Sequence, residues 1–475
     1  MPEDSDTVSS VSVSLLFDAG TLVLEGLTPE SPSAWLPEAC VWDPRVARYR
    51  APAFRYREVL THLTRASREH GFGLTDSARD YRVLALAHRA VREPFEHQSE
   101  AVRAWDAAGR RGVVVLPTGA GKSYVAEMAI AAVQRSTLVV APTLDLVHQW
   151  HTGLRAAFGE PVGILGGGER DVREITVTTY DSASIHAERL GSRFGLVVFD
   201  ECHHLPSPMY ATAATRSIAP YRLGLSATPD RGDDRDQYLR EYVGPVVYSR
   251  GIRELTGEYL ADYDVQRVTV TLDADEATRY TEQRAVYRAF LRSRGIDMRA
   301  RDGWGQFLTH SSRSAEGRRA FLAYREQRQI AIASRAKLDL LGALLHEHAD
   351  DHVLVFANDN ETVYRIANGF LLPALTHQTS MRERVEILER FGNGTYPAIV
   401  TSRVLNEGVN LPDARVAIVL SGTGSVREHV QRLGRILRRR EGKRALLYEV
   451  VSAETMEEHV SARRREHDAY RVDEC

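Results

Sequence analysis

The sequence predicts an α/β chain: a small N-terminal α+β domain, then two domains on parallel sheets, with a helical insertion. Three observations predict this. Short, wholly apolar runs alternate with amphipathic helical stretches over 89–250 and again beyond 350. Such runs belong to parallel strands covered on both faces. A glycine-rich turn directly follows the first of them, at 117–123. Finally, 475 residues exceed what one compact core normally holds.

Residues 1–88 form the first domain in this reading. Residues 11–17 and 21–25 alternate as strands around Asp18-Ala19-Gly20, a hairpin signal. Residues 41–50 read as a further strand, and 56–70 and 81–92 as helices by their apolar spacing. The second domain, 89–250, has its apolar runs at 113–116, 137–141, 175–179, 196–199 and 223–225. The third, 251–475, begins with charged helical sequence, interrupted near 301–305. Within it a helical insertion is placed at about 275–335. Strand runs return at 353–356, 398–400, 416–420 and 445–450. Chemistry in such folds sits at the C-terminal strand ends.

Composition excludes several classes. No apolar run reaches membrane-spanning length, and the acidic opening MPEDSDTVSS is no signal peptide. A cytoplasmic, nucleoid-associated protein is expected. Cys40, Cys202 and Cys475 are too few and too scattered for a disulfide framework, a four-cysteine iron–sulfur cluster or a multi-cysteine zinc site. The net charge of −3 gives no globally basic surface, though a basic groove remains compatible with it. Only three of the 61 basic residues are lysines: Lys122, Lys337 and Lys443.

The run ending at Leu116 enters Pro117-Thr118-Gly119-Ala120-Gly121-Lys122-Ser123, and a helix follows. Glycines there let backbone N–H groups close around phosphate oxygens at the positive end of a helix. Lys122 would reach the β- and γ-phosphates of ATP, and the Ser123 hydroxyl would ligate Mg²⁺. The strict pattern asks for glycine where Leu116 stands. A second apolar run ends in Asp200-Glu201-Cys202-His203. Adjacent carboxylates at a buried strand end call for a metal or a base role. Asp200 would hold Mg²⁺ through water and Glu201 would polarise the attacking water. In 431–438 (QRLGRILR), spacings of three and four put Gln431, Arg435 and Arg438 on one helix face. Guanidinium forks suit the charge that develops on a γ-phosphate.

LPTGAGKS, APTLDLVHQW, VVFDECHH, LGLSATPDR and QRLGRILR, in this order, resemble the motif set of superfamily 2 helicases. The resemblance implies two RecA-like domains sharing an ATP site. Arg435 and Arg438 would then be arginine fingers, with Gln431 at the γ-phosphate or the water. Gln98 would read adenine. Ser226, Ala227 and Thr228 would couple hydrolysis to movement, as would Glu407 and Gly408 in the stretch beginning at Thr401. Pro142, Thr143, Thr178, Thr179, Tyr180 and Thr401 would touch the nucleic-acid backbone.

The whole chain looks most like an archaeal XPB-type DNA helicase. Residues 41–45 (VWDPR) and 49–53 (YRAPA) resemble that family's damage-recognition domain. The family's Arg-Glu-Asp element reads Arg231-Gly232-Asp233 here, with glycine in place of glutamate. The resemblance implies 3′→5′ movement on single-stranded, duplex or forked DNA, local opening in nucleotide excision repair, a monomer, and a repair nuclease as partner. Trp304 and Phe307 read as packing residues of the insertion, with base stacking the other role open to them. The motor motifs leave three alternatives: an RNA helicase, a restriction-type double-strand translocase, and a non-catalytic DNA-binding protein on an ATPase scaffold.

Overall fold

In the computed structural model, residues 12–89, 93–227, 236–300, 302–402, 414–421 and 444–458 are described. The chain divides into two compact units between Arg250 and Gly251. As the sequence predicts, it is a mixed α/β chain, with a small sheet and two larger, mainly parallel ones.

The first sheet comprises β1 (Ser12–Asp18), β2 (Thr21–Glu25), β3 (Val41–Asp43), β4 (Arg48–Pro52) and, after helix α1 (Tyr56–His70), β5 (Gly73–Asp76), in the order β3-β4-β2-β1-β5. The β1–β2 hairpin turns through Ala19 (φ 45°) and Gly20 (φ 89°), the two left-handed positions of a type I′ turn. The single strand expected over 41–50 is instead the β3–β4 hairpin. Asp43 breaks it: Oδ1 accepts the Arg45 N–H at 3.1 Å, forming an Asx turn, and Ala47 adopts φ 49°. Helix α1 buries Tyr56, Val59, Leu63 and Ala66, one face at helical spacing, and ends at Gly71 with φ 75°.

The helix expected over 81–92 is overturned for its described part. Residues 81–89 run extended along the start of the next sheet. Gln134 holds them: its Oε1 accepts the Leu86 N–H at 2.6 Å and its Nε2 donates to Leu86 O at 2.9 Å. The Leu84 N–H reaches Gln134 O at 3.0 Å. Tertiary hydrogen bonds thus outweigh a weak local helical pattern.

The second sheet follows the βα alternation. In chain order come α2 (Glu96–Ala107), β6 (Arg111–Val115), α3 (Lys122–Val133), β7 (Thr137–Ala141), α4 (Leu144–Phe158), β8 (Val162–Gly166), β9 (Glu169–Arg170), β10 (Ile175–Thr179), α5 (Tyr180–Leu190), β11 (Leu196–Asp200), α6 (Ala211–Thr215), β12 (Tyr221–Ser226), α7 (Asp236–Tyr242) and β13 (Val246–Ser249). The order is β13-β6-β12-β11-β7-β10-β8-β9, parallel except for β9. All residues of β7, β10 and β11 are buried, which is why these strands read as continuous apolar runs. The strands β8, β9 and β13 had no counterpart in the sequence reading.

The second unit contains α8 (Ile252–Leu255), β14 (Asp262–Val270), α9 (Ala274–Ser293), α10 (Gly303–Ser312), α11 (Ala315–Ile332), α12 (Arg335–Glu347), β15 (Val353–Phe356), α13 (Asn360–Phe370), β16 (Ala374–Leu375), α14 (Met381–Gly392), β17 (Ala398–Thr401), β18 (Val416–Val419) and β19 (Arg444–Ser452). Its sheet, β14-β19-β18-β15-β17-β16, is parallel throughout. Helices α9, α10 and α11 make the predicted helical insertion, packed on Phe290, Ile296, Phe307 and Ala320. Phe307 is wholly buried, whereas Trp304 is 43% exposed and lies against Phe307 and Tyr324. Among the described residues no helix is long and apolar enough to cross a membrane.

Candidate active site

Five strands of the second sheet deliver the expected motifs to one edge. Parallel pairing aligns Ser226 with Val115, Asp200 with Leu225, Phe199 with Val140 and Thr179 with Ala141. The segments after β6, β7, β10, β11 and β12 therefore emerge together at the C-terminal strand ends, where open parallel sheets bind ligands.

At the glycine turn, Gly119 (φ 93°) and Gly121 (φ 84°) adopt backbone angles that L side chains rarely take. A Cβ on Gly121 would collide with Gln98 Nε2, so the Gln98 amide lies directly on the turn. Gln98 is buried in the first turn of α2, and its Oε1 accepts the Phe95 N–H at 3.0 Å. Lys122 opens α3 and donates from Nζ to Leu116 O at 3.2 Å. Its Nζ also lies 3.8 Å from Glu201 Oε1. Pro117 and Ala120 are buried, Thr118 is partly covered, and Ser123 is exposed beside Lys122.

Asp200 is held by three groups to which the sequence reading gave no such role. The Trp150 indole N–H donates to Oδ2 at 2.8 Å, and the Glu201 N–H donates to Oδ1 at 3.0 Å. The Tyr180 hydroxyl donates to Asp200 O at 2.9 Å. Burial, and then the neighbouring Glu201 charge, push the Asp200 carboxyl up to about 6. Glu201 adopts φ 46°, a strained angle for a residue with a side chain. This turn sets its carboxylate between Lys122 and His203, whose Nδ1 lies 3.5 Å from Glu201 Oε2. The same His203 nitrogen lies 3.2 Å from Ser226 Oγ. A chain of short contacts thus runs from Lys122 through Glu201 and His203 to the end of β12. The Trp150–Asp200 and His203–Ser226 contacts carry no local sequence signal, because their partners stand 50 and 23 residues apart.

The residues fit a nucleotide with its metal. Two positive-φ glycines make a cradle that a side chain at 121 would fill. Ser123, at the start of α3, and Asp200, at the end of β11, offer the hard oxygen donors that Mg²⁺ requires. Among the described residues no group of three or more His, Cys, Asp or Glu could hold an ion by itself.

The candidate nucleic-acid residues fall into two kinds. Thr143 and Thr179 cap α4 and α5, accepting the Leu146 and Ser182 N–H groups at 3.3 and 3.1 Å. Thr143 and Pro142 remain partly exposed. Thr178, Tyr180 and Thr401 are buried, with hydroxyls donating to Leu165 O, Asp200 O and Ser402 O. Ser226 and Ala227 close β12 and are buried. Thr228, Arg231, Gly232, Asp233, Glu407, Gly408, Gln431, Arg435 and Arg438 lie outside the described residues.

Comparison with known proteins agrees with this architecture. Residues 15–70 match the Xeroderma pigmentosum group B helicase damage recognition domain. Residues 92–231 match the type III restriction enzyme res subunit, and 321–473 the ERCC3/RAD25/XPB C-terminal helicase. The chain is 40% identical over 428 residues to a DNA 3′-5′ translocase XPB2 from Sulfurisphaera tokodaii, covering 90% of this chain and 95% of that one. It is 30% identical to a DNA 3′-5′ helicase XPB from Kineococcus radiotolerans, over 78% of this chain and 61% of the relative. The Hef helicase domain of Pyrococcus furiosus shares the fold at 18% identity, with a TM-score of 0.51 over 80% of this chain and all of that one. With its N-terminal, first-sheet and C-terminal regions all matched and 95% of one relative spanned at 40% identity, the chain belongs to the XPB helicase family.

Proposed function

We propose that this chain is an ATP-driven DNA translocase and helicase that moves 3′→5′ and opens DNA locally during nucleotide excision repair. The observation that carries the reading is the convergence of the glycine turn, Asp200-Glu201 and Ser226 at one sheet edge, with Lys122, Glu201 and His203 in short contact.

Lys122 would meet the β- and γ-phosphates of a nucleotide cradled by 117–123. Mg²⁺, when bound, supplies charge neutralisation on the phosphate oxygens, and Ser123 and Asp200 are the residues that would hold it. Trp150 and the Glu201 amide fix the Asp200 carboxylate and favour its charged form. Glu201, anchored by Lys122 and His203, is placed to orient and polarise the attacking water. The amide of Gln98 against Gly121 is placed to read the adenine edge. Gln431, Arg435 and Arg438 supply the remaining γ-phosphate contacts, and Thr228, Glu407 and Gly408 serve in coupling. Movement follows when His203 passes a change at Glu201 to Ser226 and the segment after β12. The grip on DNA comes from Pro142, Thr143, Thr178, Thr179, Tyr180 and Thr401 and is phosphate-directed. The protein works as a nucleoid-associated monomer, with a repair nuclease as partner.

The test is ATP hydrolysis with single-stranded, duplex and forked DNA and with RNA. DNA stimulates the wild type, and RNA does not. Lys122→Ala loses on the order of 100-fold or more of the stimulated rate, the loss expected when phosphate positioning is removed. Unchanged DNA-dependent turnover in that variant overturns the assignment. Displacement from a 3′-tailed but not a 5′-tailed duplex reports the direction.

A further inference from the structure

The second sheet has two rows of strand ends. One carries the nucleotide site. At the opposite row, where β6 begins at Arg111, a cleft of about 410 Å³ opens against α1. It is lined by Arg57, Glu58, Thr61, His62, Arg65 and Arg111. Residues 57, 61 and 65 repeat every four positions, so they share one face of α1.

The cleft holds more positive charge than its acids neutralise. Arg55, next to it, pairs with two carboxylates, Glu58 at 3.0 Å and Glu241 at 2.9 Å. Among the described residues Arg57 reaches only a carbonyl, Gly109 O at 2.7 Å. Among the described residues Arg111 reaches only Tyr242 O, at 3.3 Å. Arg65 has no hydrogen-bond or ion-pair partner among the described residues. His62 Nε2 donates to Ala34 O at 3.0 Å, and Thr61 Oγ1 donates to Arg57 O at 2.7 Å. Burial first, and then the Arg57 and Arg55 charges, lower the proton affinity of the Arg111 guanidinium, which Glu58 partly offsets.

We propose that this cleft is a second anion site, built for a phosphate group, on the side of the sheet away from ATP. Three guanidinium forks from two elements, Arg57 and Arg65 on α1 and Arg111 on β6, line the cleft. A carboxylate offers two oxygens in one plane, whereas a phosphate presents oxygens to several donors at once. The group comes from a DNA backbone or from a free polyphosphate. The DNA source rests on the motor reading above, and it would hold DNA away from the tracking motifs.

The test compares Arg65→Ala and Arg57→Ala/Arg65→Ala with the parent. Both side chains are exposed, so the variants keep the fold. In a Lys122→Ala background, which removes the nucleotide cradle as a competitor, tripolyphosphate raises the melting temperature of the parent and does so less in the variants. Fluorescence anisotropy with a duplex of about 20 base pairs then separates the sources. For a DNA phosphate, the variants bind about tenfold more weakly near 0.1 M salt, with the log–log salt slope shallower by about 1–2. For a free polyphosphate, DNA affinity is unchanged and only the tripolyphosphate shift is lost. Folded variants that match the parent in both measurements overturn the site. A wild type without DNA-stimulated ATPase that retains the tripolyphosphate difference sinks the motor reading and leaves the cleft standing.

Discussion

Trp150 stands nine residues beyond β7, on the buried face of α4, yet its indole N–H ends on the Asp200 carboxylate at 2.8 Å. That hydrogen bond opposes the burial that raises the Asp200 carboxyl to about 6. A hydrogen bond to a buried charge contributes about 1.5–3 kcal/mol. Trp150→Phe keeps most of the ring and removes the donor. Its DNA-stimulated ATPase should fall by about 10- to 100-fold, following the lost interaction energy. The proton affinity of Asp200 rises further, so the ionised form persists only at higher pH. The acid limb of the pH–rate profile should accordingly shift upward, with the far-ultraviolet circular dichroism unchanged. An unshifted limb at wild-type rate would remove Trp150 from the site. The acidic pair itself was legible because two carboxylates ending an apolar run have few structural explanations. Its supports were not: Trp150 looks like an ordinary core residue, and Tyr180 and His203, though they stand in quoted motifs, show no link to the pair until the strands bring them together.

At the scale of elements, legibility followed burial. The strands β7, β10 and β11 are covered on both faces, and their sequences said so. Strand β14 is an edge strand with partly exposed polar and charged residues, and no apolar run announced it, although it pairs with β19 over nine positions. The extended segment 81–89 was misread because its order comes from Gln134, about 50 residues away. Lys337 shows the same limit. One of three lysines in an arginine-rich chain, it stood out in sequence without a reason. In the fold it is fully buried on α12, with Nζ 2.5 Å from both Glu457 Oε2 and Leu420 O. Glu457 Oε2 also accepts the Ser452 N–H at 3.1 Å. The pair joins α12 to the exits of β18 and β19. Lys337→Met leaves a buried carboxylate without its cation and should cost about 3–5 kcal/mol. Lys337→Met/Glu457→Gln removes the stranded charge and should lose clearly less. Urea denaturation of the full chain reads both, and a double variant no more stable than the single one would show that the ion pair is not the source.

At the scale of the whole first unit, the small sheet and the second sheet share packing that no local pattern could disclose. Ile218 belongs by sequence to the loop before β12, yet it is buried in the core formed by Val13, Leu15, Leu22, Val59 and Leu63. Arg222 holds that loop from within. Wholly buried, it donates to Ala219 O, Ser217 O and Tyr242 O at 3.1, 2.7 and 2.6 Å. Arg216 packs under the β1–β2 turn, where a Cβ on Gly20 would come within 2.8 Å of its Cγ. The Asp80 N–H reaches Ser192 O at 3.0 Å. A domain joined only by a linker would fluctuate on its own, whereas one that borrows a core residue shares the stability of its lender. Ile218→Ala should therefore loosen α1, which lies about 150 residues earlier. The lost methylenes and the cavity cost about 2–4 kcal/mol in a packed core. Hydrogen exchange on the full chain should show faster exchange of the Val59–Leu63 amides in this variant, while β15 in the second unit keeps its protection. Unchanged exchange across α1 would mean that Ile218 merely rests on the small sheet, and that the two sheets of the first unit open independently.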